Sequence, residues 1–170
     1  MASQLRWFVL GLIVAIVALG AGAYIYIRAG GVSMATSAPP LPLEKMLARL
    51  ALHASYGNAV QLKDPLQMDE ATLLLAAKLY AQHCAVCHGT PHTPATAIAK
   101  GMFPLPPQLF EHTVTDDPEG ITFWKVTNGI RMTGMPGFQK TLSDTERWQV
   151  TMLLAHADAL PEPVLAALNR

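Results

Sequence analysis

Cys84 and Cys87 stand three apart and are followed at once by His88. They are the only cysteines in the 170 residues, so they have no other thiols with which to build a disulfide framework. The spacing has a mechanical meaning. At the end of a helix, two thiols three apart can add to the two vinyl edges of one porphyrin, and the imidazole of the next residue then reaches the iron from the same side. Such a run reads as the attachment of a single covalent c-type haem, and axial His ligation sets part of that group's electronics. Three other readings fit less well. A thioredoxin-like dithiol needs a βαβ neighbourhood, and the chain shows no alternating strand pattern. A structural zinc site needs four ligands, where two Cys and scattered His are what is offered. The third is an ordinary pair of cysteines.

A haem held by His88 needs a second axial ligand from a distant loop. Met or His are the expected types, and Met opposite His raises the reduction potential into the range suited to electron carriers. Eight methionines are present. Met46, Met68 and Met152 occupy helical or turn positions that look like packing, and Met102 sits in a proline-rich loop. Met135 stands between Gly134 and Pro136, where the backbone is permissive on one side and fixed on the other. That setting suits presentation of a thioether to a flat cofactor; Met132 is the fallback. His53, His83, His92, His112 and His156 read as surface or packed residues, with His112 the closest to notice because it lies in the haem-loop region.

Helices must position these groups. Asp69 looks like an N-cap for an Ala/Leu-rich helix over residues 70–83 that runs straight into Cys84. Residues 89–118 hold many Pro and Thr and few periodic apolar positions, which predicts irregular loop with short turns. Residues 121–128 form one more short helix ended by Gly129. Ser143 and Glu146 make a capping box ahead of an apolar-periodic helix to about residue 160, stopped by Pro161. Upstream, Leu43, Met46, Leu47, Leu50, Ala51 and Ala54 fall at helical spacing, with Glu44, Lys45, Arg49 and His53 largely between them. Three places are open for the apolar face of that amphipathic helix: its own haem domain, the membrane surface or a partner.

The hydrophobic fraction is 51% and the charged fraction 14%, and the excess lies at the N-terminus. Residues 7–27 contain no charge; as a helix they rise roughly 31 Å, about the thickness of a bilayer's hydrocarbon core. Trp7, Tyr24 and Tyr26 lie near its ends, where amphipathic rings favour the interface. Ala21-Gly22-Ala23 offers the small-residue pattern of a cleaved signal peptide. The apolar run outlasts the usual h-region of about 7–15 residues and continues past that point, so a retained anchor is the preferred reading. Outside this stretch and its flanking Arg6 and Arg28, ten basic residues face twelve acidic ones, a net of −2. No basic run interleaved with aromatics appears, which argues against nucleic acid. Asp116, Asp117 and Glu119 read as a solvated acidic loop.

Cys84–His88, followed by Thr133-Gly134-Met135-Pro136-Gly137-Phe138, resembles the monohaem class I cytochrome c family, and most of all its membrane-anchored bacterial forms with a Pro-rich loop, here residues 103–107. The resemblance covers residues 69–160. It implies an all-α, class I cytochrome c-like domain, and the apolar patterning above places one N-terminal transmembrane helix and the short amphipathic helix ahead of it. The helix ending at Cys84 is then expected to cross the C-terminal helix over a haem slot, with Cys84 and Cys87 attached, His88 proximal and Met135 distal on the iron. Tyr80 matches the aromatic of that crossing, with Trp148 the expected partner, and Ala76 stands where the family often has Gly. A proline carbonyl, from Pro106 or Pro107, is expected to hold the second nitrogen of His88. Propionate-binding residues do not transfer; Trp124 and Arg131 qualify by type only.

The organisation expected from all this is a cytoplasmic N-terminus (1–6), a membrane anchor (7–27), a flexible tether (28–42), an amphipathic helix with connecting loop (43–68), a haem domain (69–160) and a C-terminal tail (161–170). The resemblance implies haem attachment on the outer side of a bacterial membrane. With the one apolar span, the expected location is the inner membrane, single-pass, with the haem domain on the periplasmic side. The expected role is one-electron transfer between respiratory-type redox proteins, such as a membrane dehydrogenase, oxidase or reductase, with no small-molecule substrate required. The alternative is a haem enzyme or gas sensor with a labile sixth ligand.

Overall fold

A computed structural model describes residues 2–93, 95–111 and 117–169. The described residues contain helices and turns but no strand, apart from an isolated bridge between Thr90 and Thr93. His112 and Asp116 fall outside them. The chain divides into two compact units, residues 1–41 and 42–170.

The first unit is dominated by α1 (Ala2–Arg28), a 27-residue helix with a mean hydropathy of 2.5 over its most apolar window and no buried residue. It is long and apolar enough to cross a membrane.

The second unit carries α2 (Glu44–Ser55), a 3₁₀ turn (Gly57–Gln61), α3 (Glu70–His83), α4 (Ala85–His88), α5 (Ala97–Lys100), α6 (Glu119–Asn128), α7 (Asp144–Ala155) and α8 (Glu162–Leu168). Local chemistry sets several of these ends. The Asp69 carboxylate accepts from Thr72 N at 2.7 Å, satisfying a free donor at the start of α3. Ser143 and Glu146 close the expected capping box on α7. Gly129 ends α6 with a positive φ of 67°.

The core is the crossing of α3 with α7 and α8. Ala76, Ala77 and Tyr80 are fully buried against Val150, Leu153, Leu154, Val164 and Leu168. Each fully buried Leu or Val contributes about 1.5–3 kcal/mol relative to exposure. The small Ala76–Ala77 pair lets the helices approach closely.

Three details differ from the sequence reading. Within the segment read as a tail, 161–170, Glu162–Leu168 form α8, whose Val164 and Leu168 pack into the core with α3. Helix α7 ends at Ala155 and not near residue 160. There His156 Nδ1 lies 2.9 Å from the Met152 carbonyl, the acceptor that a continuing helix would give to the His156 N–H. Finally, Tyr80 packs edge-on against Phe110 at 5.2 Å, while Trp148 stacks on Phe123 at 4.0 Å. The crossing therefore forms from α3 and α7, with different ring partners.

Candidate functional site

Helix α3 delivers the motif. Its ladder runs through Cys84 N to Tyr80 O at 2.8 Å, and α4 adds one turn in which His88 N bonds Cys84 O at 2.9 Å. Gly89 stops that turn at φ 70°, ψ −178°, a conformation essentially confined to glycine. Both cysteines are free thiols. Cys84, Cys87 and His88 line one wall of a mainly apolar cleft of about 540 Å³, within the usual range for sites that enclose a small organic molecule. Tyr80, Leu109, Val126, Val150 and Leu154 supply apolar wall.

The proline-rich loop fixes the imidazole. His88 Nδ1 lies 2.8 Å from the Pro107 carbonyl. A carbonyl only accepts, so Nδ1 carries the proton and Nε2 keeps its lone pair free for a metal. Gln108 steadies this loop by donating to Cys87 O and Pro106 O, each at 3.2 Å. Of the two prolines expected in this role, Pro107 takes it. Burial holds the His88 imidazole below its usual range against the opposing pull of that hydrogen bond. Burial, with Cys87 adding, pushes the Cys84 thiol up to about 12.

Met135 lines the same cleft from a loop bound to α6 by main chain. Phe138 N donates to Val126 O at 3.0 Å, Gln139 N to Thr127 O at 3.2 Å, and Ile130 N to Met135 O at 3.2 Å. The Thr133 hydroxyl accepts from Met135 N at 3.1 Å, setting the local turn. Met132 lies outside the cleft lining, 69% exposed at a positive φ of 63°. Met102 does line it, with its methyl group packed onto Gly134, and the sequence reading passed over it.

Helix α2 supplies a wall the motifs did not announce. Arg49, Leu52 and His53, with Tyr56 just beyond, line the cleft. Tyr56 meets Trp124 edge-on at 5.3 Å, and a Cβ on Gly120 would overlap the Ala59 carbonyl, so the 3₁₀ turn is seated tightly on α6. Lys45 lies 5.9 Å from the centre of the Phe103 ring at the other end of α2. Trp124 and Arg131, the propionate candidates by type, do not line the cleft. Arg49, His53 and Tyr56 do line it, and their spacing on one helical face is the signal that could have drawn attention to this wall.

Residues 71–152 match the family described as cytochrome C oxidase, cbb3-type, subunit III. They form a monohaem class I c-type cytochrome domain. No curated protein matches the chain. The cofactor of this cytochrome domain is covalently bound haem c with its iron, and the cleft fits it. Two free thiols and an imidazole with one nitrogen already committed share a wall, a thioether faces the same space, and the remaining lining is mostly apolar. Among the described residues no three His, Cys, Asp or Glu side chains gather as donors for a bare metal ion. Together with α1, the domain makes a membrane-anchored c-type cytochrome, which fits electron transfer better than enzymatic turnover.

Proposed function

We propose that this cytochrome carries single electrons with both axial positions of its iron filled, by His88 on one side and Met135 on the other, and with Cys84 and Cys87 as the thioether attachments. One observation carries the proposal: His88 and Met135 line the same cleft as both thiols, and Pro107 leaves His88 Nε2 as the free nitrogen. When bound, the haem supplies one-electron exchange between ferric and ferrous iron. The chain's own residues do the rest. Pro107 fixes the tautomer and raises the basicity of the imidazole. The apolar walls from Tyr80, Leu109, Val126 and Leu154 limit water and so favour the less charged, reduced form. A filled coordination sphere leaves no place for a substrate on the metal.

The anchor and the tether hold the domain near a membrane and raise its effective concentration at a membrane partner. The location is the inner membrane, with the domain on the periplasmic side. The partners are redox proteins such as a dehydrogenase, oxidase or reductase, and the family match supports the oxidase side.

Ferric spectra of the full chain in mild detergent test the ligation. Wild type is expected to be low-spin, with the weak long-wavelength charge-transfer band of a sulfur ligand. Met135→Ala abolishes that band and lowers the potential, while Met132→Ala and Met102→Ala keep it. Loss of the band in either of those two variants moves the ligand to that residue. A high-spin wild-type spectrum overturns the carrier reading in favour of an enzyme or gas sensor.

A further inference from the structure

Helix α2 is turned the wrong way for simple burial. Its apolar stripe faces solvent, with Met46 55%, Leu47 54% and Leu50 66% exposed. The face it turns to a mainly apolar cleft carries Arg49 and His53, with Leu52 the one apolar side chain of the helix among them. The hydrophobic effect alone would place the leucines inward. A polar occupant at the cleft edge would favour the orientation observed.

Haem c retains two carboxylates, on the edge of the ring opposite the two positions where the thiols add. An anion entering an apolar cleft needs charged or hydrogen-bonding partners, because an unpaired buried charge is costly. The described lining offers few. Lys125 is committed to Asp117 at 2.6 Å. His83 directly precedes Cys84 and turns its ring towards Phe138, 6.0 Å between centroids. Arg49 makes no hydrogen bond or ion pair among the described residues, and its planar fork matches a carboxylate. His53 follows one turn later on the same face, in ring contact with Tyr56 at 5.6 Å.

We propose that α2, which precedes the family-matching segment, is a clamp for the carboxylate edge of the haem, with Arg49 as its charged donor and His53 beside it. The proposal deepens the reading of the same cleft given above. It depends on the covalent haem and not on which methionine binds the iron.

The test is the midpoint potential of the full chain in detergent. Arg49 is exposed on a helix and glutamine has a similar helix propensity, so Arg49→Gln retains the fold. Removing a cation beside the carboxylates favours the oxidised form, by roughly three- to tenfold in the one-electron equilibrium. Tenfold corresponds to about 59 mV. Arg49→Lys keeps the charge and restores most of the shift. Lys45→Gln removes the same charge from the same helix, at a residue outside the cleft lining, and leaves the potential within twofold of wild type. Equal shifts in Arg49→Gln and Lys45→Gln, or none in either, overturn the clamp. Ferric spectra read the axial ligation separately, so loss of the sulfur band in wild type would refute Met135 ligation and leave this comparison valid.

Discussion

Replacing Gly129 by alanine probes how the Met135 loop is held. Gly129 closes α6 at φ 67°, ψ −173°, a region that costs any other residue about 1–3 kcal/mol. A Cβ there would stand 2.5 Å from Gly137 N, 2.6 Å from Pro136 C and 2.7 Å from Met135 O. Ordinary contact begins near 3.4 Å, so the loop must retreat by most of an ångström. The 3.2 Å bond from Ile130 N to Met135 O is then lost, which costs about 1 kcal/mol. Together these predict that Gly129→Ala loses about 2–4 kcal/mol in denaturant unfolding. Because Met135 moves with its own carbonyl, the sulfur band of the ferric protein should weaken as well. Gly57 is the control: it also has a positive φ, of 49°, but open space where a Cβ would go. Gly57→Ala should cost only the backbone strain, about 1–2 kcal/mol, and leave the band unchanged. If Gly129→Ala is no worse than Gly57→Ala and keeps its band, the loop is not held by this backbone contact.

Two further predictions concern the scaffold. The fully buried Tyr80 hydroxyl donates to the Gly89 carbonyl at 2.9 Å, one residue past His88. Tyr80→Phe leaves that carbonyl without its partner and should cost about 1–3 kcal/mol in denaturant unfolding; an unchanged midpoint would refute the bond's role. Burial pushes the Asp64 carboxyl above its ordinary value of 3.8, with Glu119 adding and the Leu66 N–H and His156 opposing, and its Oδ2 is buried with no hydrogen-bond partner. A raised acid binds more protons folded than unfolded, so its penalty is absent below the ordinary value and grows as pH rises through the folded one. Asp64→Asn should therefore stabilise the domain at about pH 7 and have no effect at about pH 3. Equal effects at both pH values would exclude the carboxylate charge as the cause.

Features encoded by neighbours in sequence were legible from the residues alone. The Asp69 cap, the Ser143–Glu146 box and the stop at Gly129 depend on local backbone geometry, and each stands where its residue types put it. The resemblance added the α3–α7 crossing and the proline carbonyl on His88, both of which the structure shows. What escaped was set by packing between distant segments. Periodicity gave α2 its two faces but not their direction, because the face that turns inward depends on what the cleft holds. Trp148 matched the crossing by type, yet Phe123 on α6 takes its ring. Helix α8 has only seven residues, too short for a periodic signal, and is stabilised by the groove that α3 offers Val164 and Leu168. The sequence places Met102 only in the proline-rich loop, and it is the fold that brings it to Gly134.

The loop that presents Met135 is fastened to α6 by amide and carbonyl groups, which every residue except proline possesses in full. Most side chains along residues 130–139 can therefore change without loosening that fastening, provided that Gly129 and Gly137 persist where the two backbones touch and Thr133 keeps the hydroxyl that accepts from Met135 N. The position of Met135 then rests on two residues with no side chain and on one hydroxyl, more than on the bulk of the loop around it.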